Sequence, residues 1–237
     1  MTSSRTLPKR KRSRKFMFEE IAHRFQEGGW GMYPIAVCSI FIFAIAIERI
    51  QYLYFKASIS KDAFVQAMRK YILAGNVGKA LALCSQTPTP LSNIIKSGLV
   101  KVNKSDAEVQ AAMDEASLRE IPRLEKRTAF LAMLANVAML AGLLGTIVGL
   151  IKCFGAVATA DPSEKATLLA QGISEAMNCT AFGLLTAIPG LLFFSVLQSK
   201  TQHLMDDINE ASVAVLNLVV TNRDKLDLST LGAAREE

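Results

Sequence analysis

Residues 128–151 read TAFLAMLANVAMLAGLLGTIVGLI, without a single Asp, Glu, Lys, Arg or His. A bilayer core about 30 Å thick takes roughly 20 apolar residues in helix to cross. Irregular backbone exposed to hydrocarbon would leave N–H and C=O groups unpaired, so a run of this kind is a helix or a strand of a closed barrel. It is too long for a strand. Two more runs have the same character. Gly28 to Ile47 carries no charge until Glu48-Arg49, after which a second apolar patch covers Ile50 to Phe55, and Ala176 to Ser199 is closed by Lys200. The chain has 237 residues, 51% of them hydrophobic, and a positive mean hydropathy, a composition suited to lipid. The expected fold class is an all-α membrane protein with three transmembrane helices and long cytoplasmic helical extensions.

The basic stretch Lys9-Arg10-Lys11-Arg12-Ser13-Arg14-Lys15 ahead of the first run resembles the start of a secretory signal. The run is longer than a signal core, however, and no clear small-x-small cleavage site precedes Glu48-Arg49, so it reads as a retained helix. Cysteines stand at 38, 84, 153 and 179, with no Cys-x-x-Cys pair, and the histidines are His23 and His203. This spacing favours neither structural disulfides nor a metal site, so no metal and no cofactor are expected. The glycines of the second run lack a Gly-Lys-Ser/Thr ending and a polar setting, which excludes a phosphate loop. With no nucleophile–base pair either, the expectation is a protein that is not an enzyme.

The expected organisation runs as follows. Residues 1–28 form a basic tail, in which Phe16, Phe18, Ile21, Ala22 and Phe25 fall near one helical face; this segment is either an interfacial helix or a plain leader into the first span. The tail would stay unfolded until something acidic holds it, a membrane surface or a nucleic acid in principle, with membrane lipids expected and no nucleic acid. Residues 29–55 are the first span. Residues 56–127 are a helical domain, with apolar spacing at Phe64, Met68, Ile72, Leu81 and Leu83 and breaks at Gly75-Asn76 and Thr87-Pro88-Thr89-Pro90. From Asp106 to Arg127 the pattern is helical and highly charged, and it predicts one continuous helix running on into the second span, 128–157. A short loop over 158–172, a third span over 173–200 and a C-terminal helix and tail over 201–237 complete the chain. Residues 56–127 hold twelve Lys or Arg, whereas the connection between the second and third runs holds Lys152 and Lys165. Cytoplasmic segments carry the positive excess, which places the large region and the C-terminus inside and the short loop outside. The tail, with eight Lys or Arg, then lies outside, against the same rule.

Small residues dominate the second run. Gly145 and Gly149 form one small-x-x-x-small step and Ala138 and Gly142 another. Helices in lipid have no hydrophobic drive to associate, so such residues mark a face on which backbones approach. In the third run, Glu175 stands near the outer end, either as an interfacial anchor or as a functional acid facing water. Thr146 lies among Gly142, Gly145 and Gly149, and Thr180 shares a helical side with Gly183 and Ala187, ahead of Pro189. Each hydroxyl either satisfies itself on the carbonyl one turn back or faces a partner or water. No ionisable group lies in the middle of any run. A proton relay across the membrane would therefore need a carboxylate from another subunit.

The motif Gly142-Leu-Leu-Gly-Thr-Ile-Val-Gly149 followed by Phe154 resembles the second-helix signature of the ExbB/TolQ/MotA proton-channel family. Ile173-Ser-Glu-Ala-Met-Asn-Cys-Thr-Ala-Phe-Gly-Leu-Leu-Thr-Ala-Ile-Pro189 resembles that family's third-helix signature, with support from Ile47-Glu48-Arg49 and Pro88-Thr89-Pro90-Leu91. The resemblance covers roughly Gly29 to Lys200, and three spans with one large loop match the ExbB and TolQ branch. Met139 stands where the family often has proline and Cys179 where a second threonine is common; the basic tail is a third departure.

The resemblance implies an inner-membrane homo-oligomer, a pentamer, around two copies of a single-span ExbD/TolR-like partner whose membrane aspartate supplies the missing carboxylate. It places Thr146 and Thr180 in an ion pathway and Glu175 at its mouth, with Gly142, Gly145, Gly149, Gly183 and Pro189 shaping the helices. The implied activity is a proton-driven motor acting on a TonB/TolA-like transducer, ExbB-like in energising outer-membrane uptake, with TolQ-like envelope maintenance or a gliding motor as alternatives. A non-conducting membrane scaffold is the rival of a different class.

Overall fold

The computed structural model describes residues 29–57 and 60–223. The basic tail 1–28, with its interfacial stretch, and the end of the C-terminal tail lie outside the described residues. Among the described residues there is no strand. The elements are α1 (Met32–Gln51), a π-helical turn (Tyr52–Lys56), α2 (Lys61–Leu73), α3 (Val77–Gln86), α4 (Pro90–Val100), α5 (Asp106–Glu125), α6 (Thr128–Thr159) and α7 (Lys165–Thr221). Three helices, α1, α6 and α7, carry stretches long and apolar enough to cross a membrane. The protein is an all-α membrane protein.

Two compact units divide the described chain, and α1, α6 and α7 contribute residues to both. The first comprises 29–46 and 130–193. Its interior is assembled from Met32, Ile35 and Cys179, with Ala141 and Phe182 packed against them, and from Ile42, Leu131, Ala135 and Ala138. Its outward apolar side chains stay uncovered: Leu140, Ile151 and Met177 are 59%, 66% and 65% exposed. In water such a surface would aggregate; in a bilayer it is solvated by lipid or covered by other chains. The connection between α6 and α7 spans only 160–164, shorter than the expected 158–172 loop, because a turn accepting Glu164 and Lys165 N–H on the Asp161 carbonyl starts α7 at once.

The second unit comprises 47–129 and 194–223. Here α2 packs on α3, α3 on α4 and α4 on α5. The buried positions follow helical periodicity: Phe64, Met68 and Ile72 on α2, and Leu204, Ile208, Ala211, Val215 and Val219 on α7. A glycine and three side-chain caps set the turns between α2 and α5. Gly75 takes φ +72° at the end of α2, where a left-handed residue closes a helix without steric cost only as glycine. Asn76, Thr89 and Ser105 each accept a backbone N–H three residues on, from Lys79, Ser92 and Glu108. Pro90 sits in the first turn of α4, where its missing N–H removes nothing. Gly98 allows α4 and α5 to close, since a Cβ there would stand 2.5 Å from Met113 Cγ.

Cross-links to distant segments hold this unit. Lys61 bridges Asp207 at 3.1 Å and Glu210 at 2.8 Å, and those two carboxylates raise its ammonium well above the usual lysine range. Arg223 pairs with Asp106 at 2.6 Å while its other nitrogens donate to the Val102 carbonyl.

The continuous helix expected from Asp106 into the second span does not form. α5 ends at Glu125, Lys126 turns to ψ 134°, and Arg127 adopts φ +68° before α6 starts at Thr128. Two features interrupt the helix. Pro122 lies inside α5 and cannot donate to the carbonyl four residues back. Arg49 then donates to the carbonyls of Arg123 and Leu124, taking the place of the next helical turn. Arg49 is only 4% exposed, its guanidinium 5.1 Å above the Tyr52 ring. A non-glycine residue at positive φ costs on the order of 1 kcal/mol or more, and the Arg127 side chain offsets part of this by pairing with Glu48.

Two outcomes follow. Arg49→Met leaves buried carbonyls without a donor, a loss of about 1 to 3 kcal/mol, so the midpoint of thermal unfolding in detergent falls by several degrees. Cys84 in α3 is buried, and burial pushes its thiol up to about 12; since the thiolate is the reactive form, maleimide at pH 7.5 leaves Cys84 unlabelled in the folded protein and labels it in denaturant.

Candidate ion-pathway site

The site lies in the first unit, where α6 and α7 run antiparallel at backbone contact. A Cβ placed on Gly142 would stand 2.9 Å from the Cys179 carbonyl oxygen and 3.1 Å from Gly183 Cα. On Gly183 it would meet the Ala138 carbonyl oxygen at 3.0 Å, and on Gly145 the Cys179 Cβ at 2.9 Å. The seam continues with Gly149 against Ala176 and Cys153 against Gly172. Small residues three or four apart on each helix thus interlock, which brings the main chains closer than any larger side chain permits. The structure brings Gly142, Gly145, Gly149 and Gly183 together on this seam. Pro189 stands apart from it, lining a separate apolar cleft of about 510 Å³ with Met32, Phe43, Phe182 and others.

Thr146 and Thr180 meet across the seam, with their hydroxyl oxygens 2.8 Å apart. Thr146 also reaches the carbonyls of Gly142 at 3.1 Å and Leu143 at 2.7 Å on its own helix. Thr180 reaches across to the same Gly142 carbonyl at 3.3 Å. The Thr146 hydroxyl thus bonds back to its own turn and also touches Thr180 on α7. Two hydroxyl protons serve three acceptors, namely two carbonyls and the other hydroxyl. The pair can exchange donor and acceptor roles by rotation alone, without moving a backbone. Both side chains are half-buried, so one side of the pair is open.

Glu175, one turn before Cys179 on α7, is exposed and lies away from the threonine pair. Its carboxylate rests over Gly29, the residue before the turn that opens α1. Beside it the Lys152 ammonium lies 5.7 Å over the Trp30 ring. Sequence reasoning did not single out Gly29, Gly31 or Ala176, each of which touches the seam or its acid. A Cβ on Gly31 would meet Cys179 Sγ and Gly145 Cα, both at 3.3 Å. The signal available was the Gly-Trp-Gly pattern at the head of the first run, which looks like any loop until α6 and α7 are seen against it. Among the described residues no group of three or more His, Cys, Asp or Glu is placed to hold a metal ion.

The profile of the MotA/TolQ/ExbB proton channel family matches residues 86–210. The biopolymer transport protein ExbB-like 1 of Synechocystis sp. is 30% identical over 185 residues, covering 77% of this chain and 72% of that protein. An ExbB homolog of Methanothermobacter thermautotrophicus is 29% identical over 192 residues, covering 81% and 67%. The Tol-Pal system protein TolQ of Haemophilus influenzae is 40% identical over 98 residues, covering 40% and 42%. Among solved structures, C. jejuni MotAB superposes with a TM-score of 0.54 at 16% identity, over 84% of this chain and 77% of that one, a likeness of fold.

The seam yields a paired test. Gly142→Ala forces α6 and α7 apart and lowers the unfolding midpoint in detergent, at an overpacking cost of about 1 to 3 kcal/mol. Gly155→Ala on the same helix, where a Cβ meets nothing within 4 Å, does not lower the midpoint and raises it slightly, since alanine is the better helix former.

Proposed function

The chain belongs to the MotA/TolQ/ExbB proton channel family, and on that premise we propose that it is the ring subunit of a proton-driven motor whose ion path runs past Thr146 and Thr180. It is a multi-pass inner-membrane protein of a family of proton channels, which is not a known family of enzymes. The observation that carries the reading is the threonine pair. Two hydroxyls share one backbone carbonyl within otherwise apolar helices, which is a place where a proton-bearing group can find hydrogen-bond partners while crossing lipid.

The path needs a titrating group that this chain does not place at membrane depth. α1 is uncharged from Met32 to Ile47, α6 from Thr128 to Ile151, and α7 from Ala176 to Ser199. In the proposed assembly, five copies surround two copies of a single-span ExbD/TolR-like subunit whose membrane carboxylate takes up the proton near Glu175, passes the threonine pair and releases it on the far side. One charge crossing 100 mV yields about 2.3 kcal/mol, so several protons suffice for a substantial rearrangement of the partner. A five-fold ring around a two-fold core cannot present the same contact to both carboxylates at once, so the two are engaged in turn, and rotation is the consequence.

The large region 56–127 and the C-terminus face the cytoplasm in this reading, in keeping with their twelve Lys and Arg in 56–127. The role is ExbB-like, energising a TonB-like transducer; the relatives named ExbB support it by their coverage of both chains. The TolQ relative matches over a shorter segment at higher identity, which keeps a TolA-linked role in envelope maintenance as the second reading.

Proton flux into liposomes holding this protein with its single-span partner tests the path. Thr180→Val removes one hydroxyl from this half-buried pair, and an interaction worth about 1.4 kcal/mol to the crossing group corresponds to partner-dependent flux about tenfold lower. Flux that is unchanged in this variant removes the pair from the pathway, and no flux with any partner favours a non-conducting scaffold.

A further inference from the structure

Glu175 is exposed on α7, and its carboxylate stands over Gly29. Gly29 lies just ahead of α1 with φ +64°, and a Cβ added there would stand 2.2 Å from Glu175 Oε1 and 3.3 Å from its Cδ. The space a side chain would fill at Gly29 is the space the carboxylate occupies. The turn beneath it cannot retreat. Gly31 is braced against Cys179 Sγ and Gly145 Cα, both 3.3 Å from where its Cβ would be. Met32 is fully buried, and Met32 and Tyr33 each donate an N–H back into the turn, to the carbonyls of Gly29 and Trp30 at 3.3 Å. With the turn fixed and the carboxylate at the end of a flexible chain, any side chain at Gly29 moves the carboxylate.

We propose that Gly29 is a positioning residue for the ion pathway, its missing side chain setting where the Glu175 carboxylate stands at the mouth. The inference rests on the reading of Glu175 as the mouth acid. The seat also lies at the amino end of α1, where the helix dipole favours a negative charge, so displacement changes the surroundings of the carboxylate as well as its position. Two separate helices thereby define the mouth: α7 supplies the acid and the entry to α1 supplies its place.

The test is a set of four variants of the full chain, reconstituted in liposomes with the single-span partner: Gly29→Ala, Glu175→Asp, the double variant and Glu175→Gln. Gly29→Ala lowers partner-dependent proton flux about tenfold or more, as small displacements of a working group do. Glu175→Asp draws the carboxylate back by one methylene, out of the space of the new Cβ, so the double variant recovers to about the flux of Glu175→Asp alone. Alanine at φ +64° is strained in both backgrounds, so a purely structural role for Gly29 gives no recovery, and a double variant as low as the two single losses combined overturns the proposal. Glu175→Gln keeps the two readings apart. If it conducts like the native chain, Glu175 is not the mouth acid and its pathway role falls. The thermal midpoints of the Gly29/Glu175 cycle then report on the seat by itself: non-additive shifts uphold it and additive shifts remove it.

Discussion

The contact on which the first unit depends is between two backbones. Helices in lipid gain nothing from hiding apolar surface from water, so α6 and α7 associate through van der Waals contact, which demands closeness. Gly142 and Gly183 provide it, and the consequence is chemical as well as structural. A backbone carbonyl inside a helix normally serves only its own turn. At Gly142 no side chain shields the carbonyl from the neighbouring helix, and the Thr180 hydroxyl reaches it from α7 while the Thr146 hydroxyl reaches it from α6. The same missing side chains thus hold the helices together and create the polar spot between them.

The entry to α1 extends this logic. Gly29 and Gly31 bring a turn against α6 and α7 at the level of Glu175 and Cys179. Cys179 is almost fully buried between Gly31 and Gly145. A thiol at this position fills the space between the two glycines, and the Thr146–Thr180 pair lies one residue further along α7.

The second unit is held by a different physics. Here burial does the work, along periodic faces such as Phe64, Met68 and Ile72, and side-chain caps at Asn76, Thr89 and Ser105 mark where α3, α4 and α5 start. Arg49 is a buried charge held by backbone. Its guanidinium meets carbonyls that the end of α5 leaves without partners, and a tyrosine ring faces it. The interruption at Lys126–Arg127 goes with that interaction and with Pro122 one turn earlier.

Amino-acid order alone determined the fold class, the three apolar runs, the small-residue face of α6 and the absence of a titrating group at membrane depth, because each is a matter of composition and spacing along one helix. It also identified Thr146, Thr180 and Glu175 as residues out of keeping with their surroundings. Only the tertiary structure decided what these residues meet: that the two threonines share the Gly142 carbonyl, that Glu175 rests on Gly29, and that Arg49, 74 positions before its acceptor Arg123, caps the end of α5. The division has one physical cause. Helical periodicity is a local property, set by neighbours a turn away, whereas a hydrogen bond between helices depends on which faces pack and how closely, and in this protein that is governed by side chains that are absent.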